Sequence, residues 1–319
     1  MKTLDTKPKV TIVTPVFNEE DSLDTYVTTV KRVLLDHPDY FIRVLFIEDG
    51  SHDASWQRIM EINRADSRFS GVRLSRNFGS HVALSAGIDL ADGDAVATLA
   101  CDLQDPPATI LEFLEKWRQG NAIVWGHRRT RQDSNWRAWT SNAFRALLRR
   151  YAMPKGSLFT TGSFLLMDRI VVDCFRKFRE QNRITFALVA WTGFDQAVVH
   201  YDRLPRVSGK SGWSFSKMIK TMYDAFIGFS LLPVRIITWA GLTFFLLSIL
   251  ITLYLVLSWG LGHPVPGWHS LMASMSLLFG LVFMMLGILA EYLSRIYSEV
   301  VNRPLYFISQ RTDAQRRST

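Results

Sequence analysis

The stretch Asp102-Leu103-Gln104-Asp105-Pro106-Pro107 carries the most chemistry per residue in the chain. A carboxylate, an amide oxygen and a second carboxylate follow an apolar run, and the two prolines suit the first turn of a helix. Hard oxygen donors converging after a strand can hold Mg2+ or Mn2+. Such an ion neutralises a diphosphate as its bond breaks. The plainer reading makes Asp105 a helix N-cap and lets Asp102 merely end the strand. Two more acidic clusters close apolar runs, Thr14-Pro15-Val16-Phe17-Asn18-Glu19-Glu20 and Glu48-Asp49-Gly50-Ser51. Facing one cleft, they can accept hydrogen bonds from a base and a ribose. His127-Arg128-Arg129 with Arg131 can meet phosphates. For Asp49-Gly50 a simple turn is the alternative.

The elements that must position these residues are legible in the hydropathy pattern. Val10–Val16, Arg43–Ile47, Val72–Leu74, Ala95–Ala100 and Ala122–Gly126 read as short apolar strands. Between them Ser22–Leu35, Ala54–Ala65, Ser80–Leu90 and Thr109–Gln119 carry the 3.6-residue period of helices, with Asp53 able to cap the second. This alternation predicts an α/β fold, a mostly parallel sheet covered on both faces, with ligands at the carboxyl ends of its strands. Residues 128–206 are less regular, with an Arg/Trp-rich helical stretch at Asn135–Tyr151 and a further strand near Thr161–Met167. No internal repeat or low-complexity segment is present.

The chain has 319 residues, 48% of them apolar and 21% charged, with a mean hydropathy of +0.07. That composition excludes a disordered chain. Lys+Arg minus Asp+Glu is 37 − 29 = +8, an excess that suits nucleic acid, anionic lipid or phosphorylated substrates. There are two cysteines, and Cys101 falls in a predicted buried strand, so a disulfide framework is not expected and a reducing compartment is. The amino-terminal apolar run is too short for a signal peptide. From Ile236 to Ala290 no Asp, Glu, Lys or Arg occurs. The segments Ile236–Trp259 and Leu271–Ala290 can each cross a hydrocarbon layer about 30 Å thick. Their connector lacks Lys and Arg, whereas both flanks are basic, which places both flanks in the cytoplasm. Between Ser211 and Leu232 an amphipathic pattern predicts a helix lying in the membrane interface. A buried hairpin and a core-facing helix are the alternatives for these segments.

Taken together, TIVTPVFNEE, EDGS, LSRNFGSHVALSAGI and DLQDPP resemble the family 2 glycosyltransferases of GT-A fold. More narrowly, the chain resembles the polyprenyl-phosphate glycosyltransferases, the group of dolichol-phosphate mannose synthase and the bactoprenol glucosyltransferases. The resemblance extends from Val10 to about Leu305 through TGSFLLMDR, the R-x-x-G-x-S stretch at Arg206–Ser211, FSLLPVR and the two-span tail. It implies a GT-A domain over 1–210, an amphipathic helix over 211–233, a two-helix transmembrane hairpin over 234–292 and a cytoplasmic tail over 293–319.

By the same resemblance, Pro15, Phe17 and Glu19 line the nucleotide, and Glu48 and Asp49 hold base and ribose. Asp102 and Gln104 bind Mg2+ or Mn2+ beside Asp105. Arg128 and Arg131 lie near the phosphates, and Arg206, Ser211 and Trp213 face the lipid phosphate. The implied reaction is inverting transfer of a hexose, glucose from UDP-glucose first, to undecaprenyl phosphate at the inner membrane, for modification of a cell-envelope glycan such as O-antigen. Implied partners are the bilayer, further copies of the chain, a flippase and a periplasmic glycosyltransferase, and no nucleic acid.

Three positions depart from the pattern: Ala100 replaces the first acid of the metal motif, Ser163 an acid proposed as base, and Gly212 a lysine. A catalytically silent nucleotide-sugar-binding scaffold is therefore the second expectation. A processive synthase ranks third, because two spans build no channel. Asp168-Arg169 reads as a local structural pair with Asp168 held in reserve as an acid, the scattered histidines as surface or loop residues, and Glu291 with Arg295 as a helix-surface ion pair.

Overall fold

The computed structural model describes residues 7–129, 162–181, 183–204 and 267–312, together with scattered helical positions between 237 and 261. Eight strands form one sheet in the order β7-β5-β6-β4-β1-β2-β3-β8. They are β1 (Lys9–Val16), β2 (Phe41–Glu48), β3 (Phe69–Leu74), β4 (Ala95–Thr98), β5 (Ile123–Arg128), β6 (Leu165–Asp168), β7 (Gln196–Tyr201) and β8 (Ile308–Arg311). β4, β1, β2 and β3 run parallel, as do β5 and β7. β6 runs antiparallel between β4 and β5, and β8 antiparallel on the outer edge of β3. The GT-A-like α/β sheet is thus mostly parallel.

Alternate residues of each strand feed two cores. On one face Ile12, Val44 and Phe46 pack against α1 (Glu20–Val30), α2 (Ser55–Ala65) and α4 (Thr109–Arg118) through Tyr26, Trp56 and Phe113. On the other, Val13, Leu45 and Ile47 meet α3 (Ser80–Leu90), α5 (Arg169–Phe175) and α6 (Thr185–Trp191) through Leu84, Val172 and Leu188. Two-sided burial explains why the central strands are continuously apolar in sequence.

Several boundaries differ from the sequence reading. The helix after β1 starts at Glu20, and its last turn, Lys31–Leu35, widens to a π-helix. β4 ends at Thr98 rather than Ala100, because the chain turns at Cys101–Asp102 and Leu103 takes a left-handed φ of 52°. Cys101 is buried in that turn, not in a strand. Asp53 accepts the Ser55 amide at 3.0 Å, but the helix begins one residue later than expected and its N-cap is Ala54, not Asp53. Asp105 does not cap α4, which begins at Thr109 with Ala108 before it. Asp168 does cap, accepting Ile170 N–H at 3.0 Å and the Trp117 indole at 2.7 Å. It pairs in register with Ala95, at the start of β4, on the sheet edge opposite Asp102, so it has no place in the site. Arg169 binds carbonyls of Gly93 and Ala91 rather than Asp168. His81 lies half-buried in α3 rather than in a loop, whereas His200, in β7, is exposed as a surface residue should be.

Helix α7 (Trp268–Val301) runs 34 residues, longer than the predicted Leu271–Ala290. Among the described residues one helical stretch, Leu278–Val301, is long and apolar enough to cross a membrane, by length and composition. Much of the first predicted span lies outside the described residues, though Gly241, Leu250 and Tyr254 within it are helical. Beyond the charge-free run, Arg295 pairs with Glu291 at 3.1 Å, as expected from their spacing.

The end of α7 docks on the α/β domain. Gln181 N–H donates to the Glu299 carboxylate at 2.8 Å, and the Gln181 amide donates to the Arg303 carbonyl at 2.5 Å. β8 then joins the sheet, with the Trp56 indole donating to Gln310 and Gly71 N–H to the Thr312 hydroxyl at 3.0 Å.

Asp89, near the end of α3, is held up to about 6 by burial, against the pull of Arg183 and Arg176. Its folded-state value lies above the ordinary 3.8, so the folded chain binds this proton more tightly than the unfolded one. That contribution is complete below about pH 4 and is lost as the pH rises through about 6. Asp89→Asn should therefore stabilise the protein by about 1–2 kcal/mol at pH 8 and by nothing near pH 4. Melting temperatures of both proteins across that range check the sign.

Candidate functional site

Three loops leave the carboxyl edge of adjacent strands β4, β1 and β2. The loop after β1 is bent at Asn18, which has a φ of 53°. It is laced to the loop after β2: Asn18 N–H donates to the Ser51 hydroxyl at 3.0 Å, Glu19 N–H to the Ser55 hydroxyl at 3.0 Å, and His52 N–H to the Asn18 side chain at 3.0 Å. Pro15 still lies within β1, paired with Ile47, and the Phe17 ring is left 41% exposed at the rim. Such a ring can lie against a flat ligand. Glu19 accepts the Ser22 hydroxyl at 2.8 Å. Burial first, and then the charges of Glu19 and Asp102, push the Cys101 thiol up, so the first and third loops are electrostatic neighbours.

Glu48 and Asp49 are both buried. Glu48 accepts the Ser51 amide, and Arg73 Nε stands 2.9 Å from its other oxygen. Among the described residues that oxygen, Glu48 Oε2, has the Arg73 guanidinium as its charge partner but no well-aligned hydrogen bond. An ion-paired oxygen without an aligned N–H can still accept a further donor. Asp49 accepts the Phe78 and Gly79 amides at 2.8 and 2.9 Å, ahead of α3. Burial raises its proton affinity, and those two amides oppose the rise.

The third loop holds the Asp-Leu-Gln-Asp run. Asp102 accepts the Gln104 amide at 3.3 Å. Asp105 accepts the Tyr201 hydroxyl at 2.5 Å and stands 3.7 Å from the Arg128 guanidinium. Arg128 Nε donates to the Tyr201 oxygen at 3.2 Å. Gln104 accepts the Arg203 guanidinium through its side chain and Leu204 N–H through its carbonyl, at 2.9 Å. The loop is therefore clamped by the end of β7 and the residues after it. Ser163 lies beside this loop, its carbonyl accepting the Thr98 hydroxyl at the end of β4.

The structure thus brings Asp102, Gln104, Asp105 and Arg128 together, and places Pro15, Phe17, Glu19, Glu48 and Asp49 on the same sheet edge. Arg131, Arg206, Ser211 and Trp213 lie outside the described residues, as does Gly212. Sequence reasoning gave no site role to Arg73, Tyr201 or Arg203. The parallel register of Arg128 with Tyr201 is the link that finds Tyr201, and it needs the β5–β7 pairing to be known.

Among the described residues no three His, Cys, Asp or Glu side chains converge as a metal cage. Asp102 offers one carboxylate, and Gln104 an amide oxygen once it leaves the Arg203 guanidinium it now accepts; that pair suits an ion of the Mg2+ kind, which takes one or two carboxylates and fills its shell with water and substrate phosphate.

The fold and its acidic edge define a GT-A-like domain, a class built to hold a ligand at the carboxyl ends of its strands. The chain belongs to glycosyl transferase family 2, whose model matches residues 11–176, and the model of the GtrB C-terminal hairpin matches residues 232–296. It is 38% identical over 303 residues to an uncharacterized glycosyltransferase of Synechocystis, covering 94% of this chain and 95% of that one. It is 35% identical over 304 residues to the bactoprenol glucosyl transferase of Shigella phage SfII, covering 95% and 98%. A prophage bactoprenol glucosyl transferase homolog of Escherichia coli is 32% identical, with 95% and 99% covered.

Proposed function

We propose that this transferase moves a hexose, glucose from UDP-glucose first, onto polyprenyl phosphate at the cytoplasmic face of a membrane. The observation that carries the reading is the meeting of Asp102, Gln104 and Asp105 with Arg128 and Arg203 at the carboxyl edge, two strands away from the buried carboxylate of Glu48, one oxygen of which lacks an aligned donor. A nucleotide offers what each part lacks. Its base or ribose supplies a donor to Glu48 Oε2, and its diphosphate meets the two guanidinium groups. The names of the phage relatives support the lipid acceptor.

Asp102 and Gln104 would hold Mg2+ or Mn2+, and that ion, when bound, supplies positive charge to the departing diphosphate. The acceptor needs little help from a base. A phosphate monoester has a second pKa of about 6 and arrives mostly as a dianion, so Ser163 in place of an acid does not remove a needed proton acceptor. Attack by that oxyanion on the anomeric carbon forms one C–O bond as the bond to the nucleoside diphosphate breaks, which inverts the centre. What the chain must supply is alignment and charge neutralisation.

In this reading residues 1–210 are the catalytic domain, 211–233 lie on the bilayer, 234–292 span it twice and 293–319 return to the cytoplasm. Arg131, Arg206, Ser211 and Trp213 then serve the lipid phosphate. The ties that Gln104 and Asp105 already have within the chain, together with Ala100, favour the scaffold as the second reading. Membranes holding the full chain, given radiolabelled UDP- and GDP-sugars with undecaprenyl phosphate, should form a lipid-linked sugar. No such product from any donor would end the enzyme reading.

A further inference from the structure

Tyr201 is the last residue of β7 and is buried. Its ring is fixed from two sides. Phe164 meets it edge-on at 5.3 Å, and Gly126 leaves the space beneath, where an added Cβ would come within 2.9 Å of Tyr201 Cε1. Only the hydroxyl reaches polar groups, and it reaches two of opposite charge: it donates to Asp105 Oδ1 at 2.5 Å and accepts from Arg128 Nε at 3.2 Å. Arg128 and Asp105 themselves stay 3.7 Å apart, a loose approach for an ion pair with one buried member. Direct pairing at hydrogen-bond length is the arrangement such charges ordinarily adopt. The hydroxyl prevents it by satisfying the carboxylate first.

We propose that Tyr201 is a positioning residue for Arg128: its hydroxyl occupies Asp105, so that the guanidinium remains presented to the diphosphate instead of closing on the buried carboxylate. This rests on the nucleotide-sugar reading above. Without the hydroxyl, Asp105 keeps its burial and loses its neutral donor, and a buried carboxylate short of a donor takes the nearest one. Arg128 is that donor. Its guanidinium then leaves the phosphates, and nucleotide affinity falls although no residue of the phosphate site has changed.

Tyr201→Phe keeps the ring between Phe164 and Gly126, so the fold is preserved. The test is a double-mutant cycle on the full-length protein in detergent, with UDP titrated in a calorimeter. Tyr201→Phe should weaken UDP about tenfold in the wild-type background. In an Asp105→Asn background, where no charge draws Arg128 inward, the same change should weaken UDP less than threefold. An equal loss in both backgrounds marks a packing role and overturns the proposal, as does wild-type affinity in Tyr201→Phe. Wild-type protein that binds UDP but transfers no sugar ends the enzyme reading alone. Wild-type protein that binds neither UDP nor GDP removes the phosphate Arg128 is said to meet, and both fall.

Discussion

Asp102→Asn is expected to lower lipid-linked sugar formation by about 10³-fold or more while leaving the protein folded. Ala100 stands where the family resemblance expects an acid, so Asp102 is the remaining carboxylate of that pair. It sits at the turn after β4, buried, on the edge shared with the loops after β1 and β2. Asparagine keeps the size of the side chain and an oxygen for the Gln104 amide, which Asp102 accepts at 3.3 Å. It lacks the charge that a dication requires. The melting temperature should therefore move by no more than about 2 °C, and the loss should fall on turnover. The scaffold reading expects the reverse in cells: the variant would retain whatever phenotype the wild-type gene supports. Full turnover by Asp102→Asn would remove this residue from the chemistry.

Gly50→Ala carries the second large effect, and it reaches the site through the backbone. Gly50 has a φ of +69°, and an added Cβ would lie 2.4 Å from the Arg76 carbonyl carbon and 2.6 Å from Asn77 N. Both neighbours are main chain and cannot swing aside. The loop after β3 would have to retreat, and with it the Phe78 and Gly79 amides that Asp49 accepts. Left-handed strain, overpacking and two lost bonds to a buried carboxylate together predict a loss of about 3 kcal/mol or more. UDP affinity should fall at least tenfold in the same variant, since Glu48 and Asp49 move with the loop. Gly120→Ala is the control. Its φ is +102° with nothing among the described residues within 4 Å of the added Cβ, so strain alone acts there, about 1–2 kcal/mol, and nucleotide affinity should not change. Equal losses at both glycines would show that the contact with Arg76 and Asn77 is immaterial.

Local order was written plainly in the chain. The helix Ser80–Leu90 was read from sequence with the same bounds it has in the structure, and the helices over 55–65 and 109–118 to within a residue at either end. Their periods arise from residues three and four apart, which share a face whatever the rest of the molecule does. The acidic loops were equally legible, because a polar cluster after an apolar run marks a strand end in any parallel sheet. The strand Gln196–Tyr201 gave no such sign. Its burial is intermediate over much of its length, and it carries no regular alternation of apolar and polar residues.

What the sequence determined by itself is therefore the alternation of strands and helices, the edge of the sheet on which polar loops emerge and the charge-free run after residue 235, all consequences of neighbours along the chain. Tertiary structure alone decided the antiparallel insertion of β6, the return of β8 to the edge of β3, and the partners of the acidic loop. Tyr201 and Arg203 meet Asp105 and Gln104 from 96 and 99 residues away, and Gln310 meets Trp56 from 254. Contacts over such separations have no period to read. They exist because the sheet, once paired, leaves buried carboxylates and strand edges whose hydrogen bonds must be completed by whatever the fold brings within reach.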